Sequence, residues 1–91
     1  MLSERIKEIR MAKKLSQVEL SEILGVTKQS VSNWENDNIQ PSVEMLVKIA
    51  EAFNVSVDYL LGREDRRYLE VTGLSESEIA HIQLIINDIK L

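Results

Sequence analysis

Two helix-start signals with a glycine between them constrain this chain more than any other feature. Ser16-Gln17-Val18-Glu19 places a hydroxyl at a helix N-cap and a glutamate three residues on, so each side chain can satisfy the other's free backbone N–H. Gly25 follows Leu24 where a left-handed residue would close that helix, and Thr27 can cap a second helix at once. One long helix cannot run through such punctuation. Two short helices must meet across a tight turn, with Leu20, Leu24, Val26, Val31 and Trp34 inward. They then pack at a steep angle and leave one face of the second helix free.

The flanking sequence predicts further helices and no strand, so the expected fold class is all-α. A first helix runs from Ser3 as N-cap to about Lys14, with Ile6 and Ile9 on one face and Leu2 as a staple ahead of the cap. The segment from Asn36 to Pro41 reads as a loop, and Ser42 caps a fourth helix with Leu46, Ile49, Ala50 and Phe53 as its stripe. A short fifth helix restarts after Asn54 and Gly62 closes it. The expected core of this five-helix unit, residues 1–62, is Ile6, Leu20, Leu24, Val31, Leu46, Ile49, Phe53 and Leu60. Residues 63–73 are charge-rich and read as a linker with a short helical stub, and a final amphipathic helix in 74–91 starts at Ser75 with Glu78 completing its cap.

With no cysteine in 91 residues, neither a disulfide nor a thiolate zinc site can staple the fold. His81 is the only histidine, and Asp37 and Asp58 are isolated carboxylates at helix ends, so no metal site is expected. No glycine-rich phosphate loop or nucleophile–base constellation is present, which leaves no catalytic residue, no cofactor and no enzyme function to expect. No small-molecule effector is indicated either. Apolar runs stay well short of a membrane span, and the start lacks the core of a signal peptide, so the expectation is cytoplasmic. Trp34 and Phe53 fall on stripes of aliphatic neighbours and read as core.

The net charge of −4 argues against a nucleic-acid partner. Its distribution answers that objection. Through Trp34 there are six Lys and Arg against four acids, a balance of +2, whereas the remainder carries five against eleven, −6. A polarised molecule can present its basic face to DNA and keep its acidic side away. If Val31 and Trp34 are buried, Gln29, Ser32, Asn33 and Asn36 lie opposite, all polar and uncharged, while Thr27 and Lys28 sit at the helix tip. Gln and Asn match the donor–acceptor edge of adenine in the major groove, and Lys matches guanine.

The stretches LSQVELSEILGVTKQSVSNWEND and PSVEMLVKIAEAFNVSVDYLLG together resemble the Cro/CI-type (XRE-family) helix-turn-helix domain of phage repressors and bacterial regulators, with the motif at 17–36. The resemblance covers residues 1–62 and implies a phage-repressor-like domain that binds double-stranded DNA. It further implies that Lys28, Gln29, Ser32 and Asn33 face bases, and that Gln17 binds a phosphate and braces Gln29. Thr27, Asn36 and the loop through Asn38 to Gln40 would touch the backbone. Ser21 departs from the family's usual alanine where the two helices approach.

Glu35 in the last turn of its helix opposes the helix dipole and needs a cation. Arg10 is the candidate, and the family often pairs these positions. Lys14 is then freer than Arg10 to meet phosphate. In the last helix, Ile79, Ile82, Ile86 and Ile89 recur at coiled-coil spacing and Ile85 widens the face. Such a surface calls for a partner or for the chain's own domain, and a homodimer is favoured because operators are commonly palindromic. The leading expectation is therefore a homodimeric, sequence-specific transcriptional regulator, a repressor. The alternative is a protein-interaction module, such as a DNA-binding antitoxin or a binder of another repressor, acting through the last helix.

Overall fold

A computed structural model describes residues 1–91, and all six elements are helices: α1 (Leu2–Ala12), α2 (Gln17–Leu24), α3 (Lys28–Glu35), α4 (Val43–Phe53), α5 (Val57–Leu60) and α6 (Glu76–Lys90). Local chemistry sets nearly every boundary. Ser16 and Ser75 both close capping boxes, and Thr27, Ser42 and Ser56 each accept from the backbone N–H three residues on. Gly25 caps α2 at φ 71°, and Asn54 caps α4 in the same left-handed region at φ 55°. Asparagine is among the few residues with a side chain that enter this region readily.

α1 departs from expectation at both ends. Its N-cap is Met1 without a side-chain bond, so Ser3 and Leu2 lie inside the helix and neither caps nor staples it. The chain's ammonium lies 3.4 Å from Glu4, which offsets a positive charge placed at the positive end of a helix dipole. At the other end α1 stops at Ala12, with Lys13 as C-cap and Lys14 turned to φ 58°. No glycine marks that turn, which is why the periodic charge pattern read on through Lys14.

The core consists of Ile6, Ile9, Leu20, Leu24, Val31, Trp34, Ile49, Ala50, Phe53 and Leu60, drawn from α1 to α5. Leu46 is half-buried and falls outside it; from α4, Met45 and Ala52 pack against the cluster instead. Ser21 is buried where α2 meets α3, and its hydroxyl donates to the Val18 carbonyl at 2.6 Å. That bond to its own helix lets serine stand at the close approach without an unsatisfied polar atom.

Residues 63–73 contain no helical stub. No residue of α6 is buried, and α6 does not pack closely on any other helix, which gives the molecule extents of 44 × 24 × 22 Å. Ile79, Ile82 and Ile86 are half-buried, while Ile85 and Ile89 are exposed. No helix is long and apolar enough to cross a membrane.

Candidate nucleic-acid interface

α3 presents the free face that its pattern requires. Val31 and Trp34 are buried, Gln29 and Asn36 are exposed, and Ser32 and Asn33 are half-buried between them. The polar side chains pair one helical turn apart, with Gln29 Nε2 donating to Asn33 Oδ1 at 3.0 Å and Asn36 Nδ2 to Ser32 Oγ at 3.2 Å. Such pairs restrict rotamers before any ligand arrives. Each amide keeps donors and acceptors in reserve.

At the N-terminal tip of α3, Thr27 Oγ1 accepts from Ser30 N–H at 3.1 Å, and Lys28 is exposed beside it. At the other end the loop folds back onto the helix. The Asn33 carbonyl accepts from the N–H groups of Asn38 at 2.9 Å and Ile39 at 3.4 Å, and Asp37 takes φ 57° to make the turn. Asn38 and Gln40 are left exposed along that loop.

A buried polar network joins the three helices around this face. Arg10 donates to Glu35 through Nε at 2.7 Å and Nη2 at 3.0 Å, and through Nη1 to the Leu15 carbonyl at 2.7 Å. The side chains of Arg10 and Glu35 are 11% and 2% exposed. The hydrogen bond to Glu35 pushes the Arg10 pKa further up, against the opposing effect of burial. The same carboxylate accepts from Gln17 Nε2 at 3.2 Å. Gln17 therefore braces Glu35, whereas Gln29 is held by Asn33, in place of the Gln17–Gln29 contact that the resemblance implied. A carboxylate this deep takes the strongest donor within reach and recruits the amide as well.

The network brings the end of α1, with exposed Lys13 and Lys14, and the start of α2 to the C-terminal end of α3. Lys48 is drawn elsewhere, because its Nζ donates to the Leu24 carbonyl at 3.0 Å and closes the end of α2. One contact gave no signal in the sequence: Arg5 of α1 reaches the backbone after α5, more than fifty residues on. No cluster of three or more metal-ligating side chains occurs.

Two short helices crossing at a glycine turn, with the second presenting an uncharged polar face, define a helix-turn-helix. The chain belongs to the helix-turn-helix family, whose model matches residues 6–60, and within it to the Cro/CI type that the sequence resembles. Among relatives, it is 38% identical over 64 residues to the HTH-type transcriptional regulator ImmR of Bacillus subtilis (strain 168), covering 70% of this chain and 50% of ImmR. The chain spans about half the length of the curated relatives it matches first. Among solved structures, the P22 c2 repressor in complex with synthetic operator 9T superposes with a TM-score of 0.67 at 33% identity, covering 70% of this chain and 97% of that one. One chain of a SinR protein/SinI protein complex superposes with a TM-score of 0.64 at 28% identity and covers 99% of this chain and 98% of its own.

Proposed function

We propose that this protein is a sequence-specific duplex-DNA-binding transcriptional regulator that acts in the cytoplasm as a homodimeric repressor and has no enzymatic activity. The observation that carries this reading is the face of α3, uncharged and rich in amides, held by a buried network between basic residues of α1 and a folded-back loop. The likeness to a repressor solved on its operator supports it. In this reading Lys28, Gln29, Ser32 and Asn33 contact bases, while Lys14, Gln17, Thr27, Asn36, Asn38 and Gln40 contact the backbone. Residues 1–62 bind DNA, residues 63–73 connect, and α6 joins two copies.

Selection of bound sequences from a random duplex pool tests this. Recovery of a palindrome supports the dimeric reader, and a pool without enrichment overturns it. Gln29→Ala and Asn33→Ala should each weaken operator binding by about 1–3 kcal/mol while leaving affinity for random duplex nearly intact, because they contact base edges. Equal losses on both duplexes would remove them from base recognition. Lys14→Gln should weaken binding to all sequences and reduce the salt slope by about one unit, because one phosphate contact is lost. Glutamine keeps a long side chain at the left-handed position and removes only the charge; an unchanged slope places Lys14 off the DNA.

A second reading is favoured by the superposition on the SinR protein/SinI protein complex, which extends over α6 as well as the DNA-binding unit. In this reading α6 would bind a different protein. Sedimentation of the purified chain separates the two: a dimer supports self-association, and a monomer whose α6 remains helical supports the heterologous partner.

A further inference from the structure

Residues 63–67 mix charges of both signs and read as solvated linker, yet one side chain of α1 holds their beginning. Arg5 donates through Nη1 to the carbonyl of Tyr59 and, at 3.2 Å, to that of Glu64, and through Nη2 to Asp65 Oδ1 at 3.0 Å. Its side chain is 22% exposed. The guanidinium carbon lies 4.0 Å from the centroid of the Tyr59 ring, and that of Arg67 lies 5.2 Å from the same ring. One aromatic ring thus meets a cation from α1 and another from the connector. Beyond it, the chain from Arg66 to Glu70 runs beside a groove whose other wall is Val47, Ala50, Val55 and Val57.

The Arg5–Asp65 ion pair contributes little by itself, since Asp65 is 93% exposed. The contact to the ring and the fork of donors on fixed carbonyls supply the geometry. Only the Tyr59 acceptor belongs to the five-helix unit; Glu64 and Asp65 belong to the connector. The hydrophobic cluster already holds α1 against its neighbours, so the distinct effect of Arg5 is on the direction in which the chain leaves α5.

We propose that Arg5 is a positioning residue that, with Tyr59, clamps the connector at residues 64–67, fixes the direction of α6 and so sets the half-site separation two paired copies accept. This rests on the dimeric DNA-binding reading above. Released, residues 63–73 behave as a flexible tether of about 18 Å root-mean-square length; clamped, at most residues 68–73 remain free, with a span of no more than about 13 Å. A shorter, directed tether admits fewer spacings of its two ends.

The test uses the full chain and Arg5→Gln, with Asp65→Ala/Arg67→Ala as a second variant whose changes lie outside the core. The first measurement is the backbone 15N heteronuclear NOE. In the wild type residues 64–67 should be as ordered as α1 to α5, and in the variants only the connector should lose order. Equal order of the connector in wild type and both variants overturns the clamp, whatever the protein binds. The second is selection from a random duplex pool. The wild type should recover paired half-sites at one spacing favoured roughly tenfold over its neighbours, and the variants the same half-site with a preference under about threefold. An unchanged single spacing in the variants overturns the positioning role. A wild-type pool without paired half-sites overturns the dimeric reading itself, and the NOE comparison still decides the clamp.

Discussion

Arg10→Ala should destabilise the fold by about 3 kcal/mol, far beyond the roughly 0.5 kcal/mol of an ordinary surface change. The reason is what the substitution leaves behind. The Glu35 side chain is 2% exposed, and once Arg10 is gone its carboxylate keeps only the Gln17 amide at 3.2 Å. A charge stranded in that position bears its desolvation cost with no countercharge. The Leu15 carbonyl loses its donor in the same step. Glu35→Ala should cost less, because the guanidinium retains Leu15 and is more accessible than the carboxylate. Removing both should cost less than the sum by about 1–3 kcal/mol of coupling. Urea melts of the two single variants and the double variant check this, and strict additivity would show that the pair carries no interaction energy. An apolar pair such as Arg10→Met/Glu35→Leu should restore much of the stability, since no buried charge then remains.

Operator binding by Arg10→Ala should fall together with stability. Both the turn that carries Lys14 and the start of α2 are tied through Arg10 and Glu35 to the end of α3.

On the dimeric reading proposed above, Ile82→Asp/Ile86→Asp should give a monomer that remains folded and binds its operator about a hundredfold more weakly. α6 has no buried residue and packs closely on no other helix; Ile82 and Ile86 are half-buried and Ile85 and Ile89 are 47% and 78% exposed, so much of its apolar face is open to a partner. Aspartates there are solvated in the monomer and desolvated in a paired helix, which makes association the step they oppose. Ending the chain after Glu70 should have the same effect, because every residue of the buried cluster lies at or before Leu60 and the Arg5 contacts to Glu64 and Asp65 are kept. Each half-site would then be held without the local concentration supplied by its twin. Sedimentation and thermal melts decide the case. A variant that stays dimeric places the interface elsewhere, and one that unfolds shows that α6 stabilises its own unit.

The Ile82→Asp/Ile86→Asp change should leave the start of α6 undisturbed. The Ser75 backbone N–H, and then its hydroxyl, hold Glu78 below the usual carboxylate range. That contribution is present above the ordinary glutamate pKa and fades as pH falls through the lowered one, so acid should fray α6 at Ser75 first.

Local chemistry was enough to place most of the helices. Ser16, Thr27, Ser42, Ser56 and Ser75 cap where their hydroxyls stand, and Gly25 turns where only a residue free of Cβ strain turns easily. These are short-range effects, complete within four residues, and a sequence displays them in full. The free polar face of α3 was legible on the same terms, because Val31 and Trp34 mark its buried side. The ends of α1 were not. Met1 caps by position alone, and Lys14 takes a left-handed turn that its residue type does not advertise.

What only the tertiary structure decided is which distant groups meet. Leu46 sits on the apolar stripe of α4, yet of the half-buried residues of that helix it is Met45 and Ala52 that pack against the cluster. Gln17 reaches Glu35 in preference to Gln29 because the buried carboxylate, already paired with Arg10, keeps lone pairs that accept the nearest free amide. Arg5 finds Tyr59, Glu64 and Asp65 across more than fifty residues, through a contact that exists only once α1 and α5 have packed. Periodicity fixes the face a side chain leaves its helix on; the partner it meets there depends on how helices pack around a shared core, and that is settled by all of them together.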